Sequence, residues 1–254
     1  YLVPQDGGAL PEYKAGQYVT VRLFIDALGF KQPRQYSLSD SSTGQYLRIS
    51  VKNESPKAEG QDPGYVSSTL HNKVKENDVI ELSAPTGNFF LFNPEKTNVL
   101  ISAGIGLTPM MAMLNQLLTG NTDPNEKVTL WEKIKANFNK PEPKNPINFI
   151  HAVRNSRVHA MTETVQDLAK KHDNLNVFVA YEQTDSKDVL GRDYHAEGRL
   201  NLKQLDAKML PKDADYYLCG PIPFMQVQHK ALLELGIPAQ NIHSEAFGTG
   251  GVAL

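Results

Sequence analysis

Two glycines in Gly104-Ile105-Gly106-Leu107-Thr108-Pro109 follow the apolar run Val99–Ala103 and precede Met110-Met111-Ala112-Met113-Leu114. Glycines at that spacing let a backbone approach a pyrophosphate, and the helix that follows turns its free N–H groups toward the anion. Pro109 stands where the dinucleotide fingerprint has its last glycine, and it suits a first helical turn because its missing N–H is not needed there. A tight strand-to-helix turn without a ligand would use the same residues. After the next strand come Arg154-Asn155-Ser156-Arg157 instead of an acidic residue for the ribose hydroxyls. Arg154 and Arg157 are cations suited to a 2′-phosphate, so NADPH is expected to be tolerated alongside NADH. Two arginines on a solvated loop are the plainer alternative.

A second set of groups lies earlier. Arg34-Gln35-Tyr36-Ser37 supplies a cation, an aromatic ring and a hydroxyl, read as the start of a strand. A flavin needs ring contact, a hydrogen-bond partner near N5 and positive groups for its phosphates, and these residue types answer those needs. Gly64-Tyr65-Val66-Ser67 opens a short helix whose N–H groups suit the other half of a pyrophosphate. Ser67 reads equally well as a plain helix N-cap.

The remaining candidates are weaker. His71, His151, His159, His172, His195, His229 and His243 form no metal-ligand spacing, and with one cysteine no metal site is expected. His151 and His243 stand near strand ends within reach of a cleft. Cys219 has no sequence neighbour to activate it, and a small polarisable contact suits it better than a nucleophile's role.

The elements that must position these groups differ in texture along the chain. Tyr18–Phe24, Tyr46–Lys52 and Val79–Ala84 alternate apolar and polar residues, as half-buried strands do, with turn residues between them and a helix over Val66–Lys73. This predicts a small antiparallel β-barrel over residues 1–93. Past the polar Asn93–Thr97 linker, strands and helices alternate. Strands are predicted at Asn98–Ala103, Ile147–Val153, Asn176–Tyr181, Tyr216–Cys219 and Asn241–Ala246. Helices are predicted at Met110–Leu118, Thr162–Lys171 and Phe224–Leu235, the last stopped by Gly236, with a short one at Leu202–Lys208. Alternation of this kind implies an α/β domain with a parallel sheet over residues 98–254. Thr119–Pro146 reads as a surface insertion, part helical around Trp131–Phe138.

The 254 residues suit two domains, and 26 basic against 28 acidic residues give a net charge of −2 with no general attraction to nucleic acid or an acidic membrane. A lone cysteine excludes an internal disulfide and suits the cytoplasm. Val99–Leu118 is too interrupted to span a membrane, and no signal peptide is read at the N-terminus. The start at Tyr1 suggests a piece of something longer, with the barrel's first strand lying upstream.

Taken in order, Arg34-x-Tyr36-Ser37, Gly64-x-Val66-Ser67, Pro85-Thr86-Gly87-Asn88-Phe89, Gly104-x-Gly106-x-Thr108-Pro109 and Cys219-Gly220-Pro221 resemble the motif set of the ferredoxin–NADP reductase superfamily. The ending Ile242-His243-Ser244-Glu245-Ala246-Phe247-Gly248 narrows the resemblance to the reductase portion of flavohemoglobins, the nitric oxide dioxygenases. Gly16-Gln17-Tyr18 and Tyr217–Pro221 agree, and the insertion is read as a fungal-type feature. The resemblance implies that Tyr18 and Arg34–Ser37 hold FAD and that Gly104–Pro109 holds the pyrophosphate of NADH or NADPH. It implies that Cys219-Gly220-Pro221 lies beside the nicotinamide. Ala246-Phe247-Gly248-Thr249 would make the C-terminal FAD contact, with Phe247 over the ring. Ser37, near flavin N5, and Glu245, which tunes the redox centres, would be the catalytic residues. Thr249 stands where the family often has proline. The implied reaction passes a hydride to FAD, then single electrons to the haem of a globin domain joined to this chain, supporting nitric oxide oxidation to nitrate. Haem belongs to that globin domain alone, for which residues 1–254 hold no helical segment. A stand-alone flavin, ferric or ferredoxin reductase, or a non-catalytic nucleotide-binding module, remains open on these residues.

Overall fold

The computed structural model describes residues 1–54, 56, 59–119 and 145–247. Strand β1 (Tyr18–Ile25) turns at Gly29 into β2 (Phe30–Ser37), and the two pair antiparallel from Tyr18↔Ser37 to Ile25↔Phe30. A short β3 (Glu81–Leu82) pairs with the other side of β1, giving the order β2-β1-β3. Single bridges extend this sheet, Leu2 to Leu47, Leu38 to Ile49 and Tyr18 to Thr86. The alternation of β1 works as alternation should. Val19, Val21, Leu23 and Ile25 point inward, and helix α1 (Tyr65–Asn72) covers the last three with Val66.

Three sequence expectations change here. Arg34–Ser37 is the end of β2, not the start of a strand; Pro33 sits mid-strand, which an edge strand tolerates because one side of it carries no ladder. Tyr46–Lys52 contributes only bridges at Leu47 and Ile49, and Val79–Ala84 contracts to Glu81–Leu82. Alternating residues indicate a half-buried surface, and continuous pairing depends on partners that a three-stranded sheet does not supply everywhere.

The second sheet is parallel, with order β7-β6-β5-β4-β8-β9. Its strands are β4 (Asn98–Ala103), β5 (Ile147–Val153), β6 (Leu175–Tyr181), β7 (Ala196–Glu197), β8 (Asp215–Gly220) and β9 (Ile242–Ala246). Helices α2 (Leu107–Thr119) and α3 (Thr162–Lys171) belong to one core, and α4 (Ile222–Glu234) packs into the other. No residue of β4 or β8 is exposed, as both faces of a central parallel strand must be covered. The short β7 carries no apolar alternation and is unpredicted. Leu202–Lys208 is two 3₁₀ turns, because Asn201 and Asp206 each accept a backbone N–H two residues on and restart the chain. The insertion lies outside the described residues. Among those described, no helix is long and apolar enough to cross a membrane.

The halves meet on α2. Ala15, Phe89 and Leu91 join its buried face, and a Cβ on Gly16 would sit 2.6 Å from both Met113 Cε and Phe89 O. Asn115 Nδ2 donates to Asp40 Oδ1 at 2.6 Å, a carboxylate also bonded by Tyr46 and paired with Arg48. The chain enters the parallel sheet at β4, winds outward to β7 and returns at β8 beside β4. The strand order reverses between those two, and in such sheets ligands bind outside the carboxyl ends at that reversal.

Candidate functional site

Gly104–Gly106 is one 3₁₀ turn at the carboxyl end of β4, and α2 begins at Leu107. Its two glycines serve different needs. Gly104 has φ +53°, with open space where a Cβ would be, so its requirement is conformational. A Cβ on Gly106 would collide with Cys219 O and lie 2.8 Å from Gly220 Cα, so its requirement is close approach. Ile105 is half-buried, and Leu107 through Leu114 are buried without a break. Thr108 Oγ1 donates to Ile105 O at 3.1 Å, tying the turn to the helix. No acidic residue lies in the first turn of α2, which leaves the helix's positive end unopposed.

Cys219 and Gly220 end β8, and Pro221 caps α4. The Cys219 thiol is fully buried; burial and then the Glu245 charge push its pKa up, so it is no thiolate. Cys219 pairs with Glu245 on β9, and Gly220 with Ala246.

Glu245 opens onto a cavity of about 550 Å³. Tyr18, Thr86–Phe89 and Phe92 wall it on one side, His243–Glu245 on the other. Burial raises the Glu245 carboxyl to about 7, and its Oε2 has no hydrogen-bond partner. Ser37 pairs with Tyr18, and its buried Oγ also lacks a partner. A continuous path therefore runs from Gly106 through Cys219 and Glu245 across the cavity to Tyr18, with Ser37 its strand partner behind. Tyr18 keeps its place against Gly87, where φ is +119° and a Cβ would lie 3.0 Å from Tyr18 Cε1. Phe247 follows β9 and is 37% exposed.

Arg34 and Gln35 are exposed, and Tyr36 is half-buried beside Val66 and Tyr65 at the start of α1. The Arg34–Ser37 and Gly64–Ser67 segments thus share one small cluster. Gly64, not Ser67, is the helix N-cap. Ser67 Oγ donates back to Gly64 O at 2.8 Å, because it sits one turn too late to cap. Gly248 and Thr249 lie outside the described residues. Arg154 and Arg157 stand apart from the cavity, after β5, and Arg157 Nη2 lies 2.5 Å from Asp185 Oδ2.

Sequence reasoning missed Phe92 and the pairing of Asp185 with Arg157, and it gave Pro85–Phe89 no function of its own. The signal for His243 was present: it is two residues from Glu245, and period two puts both on one side of β9. Its ring lies 4.5 Å from that of Phe92. His151 does not reach the cavity. It is fully buried with Nδ1 2.9 Å from Ser102 Oγ, and burial pushes its pKa down to about 3.

Comparison with known proteins adds the following. The oxidoreductase NAD-binding domain family matches residues 100–230. The chain is 47% identical over 251 residues to a flavohemoprotein of Chromobacterium violaceum, covering 98% of this chain and 56% of that protein. A Bordetella pertussis flavohemoprotein is 46% identical over 256 residues, all of this chain and 57% of that protein. The chain thus spans about half the length of these curated relatives. Among solved structures, it is similar to the flavohem-like FAD/NAD-binding domain of nitric oxide dioxygenase from Vibrio cholerae. The TM-score there is 0.79 at 36% identity, over 97% of this chain and 90% of that one. The flavohemoglobin of Malassezia yamatoensis, determined with bound FAD and heme, gives 0.72 at 25% identity, over 97% and 55%.

Proposed function

The chain belongs to the flavohemoprotein family as its FAD/NAD-binding reductase part, an NAD(P)H-dependent flavin oxidoreductase, and from that premise we propose that its electrons pass singly to a globin haem in the same protein, supporting nitric oxide dioxygenation to nitrate. The observation that carries the site is Glu245, whose buried Oε2 has no partner, lining one cavity with Tyr18, the strand partner of Ser37, whose buried Oγ also has none. Buried polar atoms are otherwise almost always bonded, so a polar ring in the cavity answers a need that Glu245 leaves open. When bound, FAD supplies the chemistry, taking a hydride from the nicotinamide and releasing electrons one at a time.

The chain's own residues position and tune. Tyr18 walls the cavity, and Ser37, its strand partner, offers a hydrogen bond from Oγ. Arg34, exposed on the edge strand, and the start of α1 suit the FAD phosphates. Gly104–Pro109 suits the coenzyme pyrophosphate, and Gly106 lets that turn sit against Cys219-Gly220, where the nicotinamide would lie. Phe247 shields the ring face. Glu245, titrating near 7, holds or gives up a proton at working pH. The single cysteine, Cys219, suits a reducing compartment, so the cytoplasm is the proposed location.

The test is stopped-flow reduction of the FAD-loaded chain by NADH and by NADPH, followed by mixing with a ferric flavohemoglobin globin domain. Fast bleaching of the flavin and then fast haem reduction are expected. Bleaching without haem reduction would remove the globin as acceptor and favour a stand-alone reductase.

A further inference from the structure

Strands β5 and β6 end side by side, on the side of β4 away from the reversal. With pyrophosphate at the β4 turn, the adenosine half of a dinucleotide lies over the end of β5. Two backbone bonds carry the turn after β6 across that end: Glu182 N–H to Val153 O at 3.0 Å, and Gln183 N–H to Arg154 O at 2.8 Å. The turn brings Asp185 onto Arg157. Asp185 Oδ2 accepts from Arg157 Nε at 3.1 Å and Nη2 at 2.5 Å, while its Oδ1 accepts the Ser186 N–H at 2.8 Å. Asp185 N–H donates in turn to Asp188 Oδ2 at 2.7 Å, which puts a second carboxylate alongside.

We propose that Asp185 selects the coenzyme: by holding the Arg157 guanidinium it withholds that cation from a 2′-phosphate and turns the adenosine end of the site toward NADH. The inference rests on the oxidoreductase reading above. It also reverses the expectation that Arg154 and Arg157 together admit NADPH. The Arg157 side chain is 77% exposed, and a pair so exposed adds little to stability. Its consequence is local charge. A phosphate dianion on Arg157 must displace Asp185 and then face Asp185 and Asp188, whereas the neutral ribose hydroxyls of NADH can donate to a carboxylate. Arg154, just after β5, is exposed and without an ion pair among the described residues.

Asp185→Asn keeps the size of the side chain and the acceptor for Ser186 N–H while removing the charge. It is compared with Asp185→Ser, Arg157→Ala and Asp185→Asn/Arg157→Ala, all FAD-loaded. Two readouts are taken: kcat/KM for each coenzyme, and calorimetric affinity for 5′-AMP against adenosine 2′,5′-bisphosphate. The wild-type chain is expected to favour NADH by about tenfold or more. Asp185→Asn should raise kcat/KM for NADPH and affinity for the bisphosphate by about tenfold, with NADH and 5′-AMP changed by less than about threefold. The double variant should lose the gain, and added salt should shrink it. An unchanged NADPH-to-NADH ratio in both Asp185 variants, or a wild type that uses the two coenzymes equally, overturns the proposal and leaves the oxidoreductase reading intact. If neither coenzyme reduces the flavin and neither nucleotide binds, the oxidoreductase reading fails and takes the proposal with it.

Discussion

Strands β2 and β4 each end in a proposed binding motif, yet they are packed in opposite ways. Residues Phe30–Gln35 of β2 lie on an edge, mostly open to solvent, and only Ser37 at the strand's end is buried. Every residue of β4 is buried at the centre of a six-stranded sheet. The motif after β4 is held by backbone against backbone, with Gly106 on Cys219-Gly220. The motif on β2 is held by pairing to one neighbour and by the packing of Tyr36 at the start of α1. The same kinds of residue therefore carry different liabilities. A change after β4 should act through the fold, and a change at Ser37 through chemistry with the fold nearly untouched.

Gly106→Ala tests the first half of that contrast most severely. Its methyl has no room, so a loss of about 3 kcal/mol is expected by denaturant titration, together with failure to be reduced by NADH. Gly104→Ala strains only φ and should cost about 1 kcal/mol. Near-equal losses for the two would break the distinction between close approach and conformation.

The seam comes next. Asn115→Ala removes the bond to Asp40 but leaves Asp40 its other partners, so a loss of about 1–2 kcal/mol is expected. The loss should appear as earlier proteolysis between the halves as well as in the unfolding midpoint.

Glu245 gives a pH signature. Its folded value of about 7 lies above the ordinary 4.5, so the folded chain binds the proton more tightly than the unfolded one. The stability it contributes is full below about 4.5 and is lost as pH rises through about 7. His151 and His159, depressed to about 3 and about 4, act oppositely, losing stability as pH falls below 6.5. The measurement is therefore a difference. The melting temperature of wild type minus that of Glu245→Gln should decline between about pH 4.5 and 7 and then level off.

Ser37→Ala should alter stability least, by less than about 1 kcal/mol, because the deleted oxygen has no partner to abandon. Hydride transfer to bound FAD should nevertheless slow by about tenfold or more. A large stability loss with an unchanged rate would place Ser37 in the fold's support and not in the site.

Much of the parallel half was legible. Asn98–Ala103, Ile147–Val153 and Thr162–Lys171 have the predicted bounds, because long apolar runs broken by glycine and polar turns admit few other arrangements. The first half was less so. Its motifs are where they were read, but Tyr46–Lys52 is two bridges and Arg34–Ser37 closes a strand. In a three-stranded sheet, pairing depends on distant partners, which local alternation does not encode.

The same division holds at the site. Residue types and order alone determined the two-part architecture and the family and pointed to the two proposed binding motifs, since backbone freedom, helix starts and apolar period are local properties written in consecutive residues. Tertiary structure decided that Tyr18, the strand partner of Ser37, faces Glu245 across one cavity, that His243 joins it while His151 does not, and that Arg157 is claimed by Asp185. Burial, missing partners and ion pairing are relations between residues far apart in the chain, and they acquire values only once the strands lie side by side.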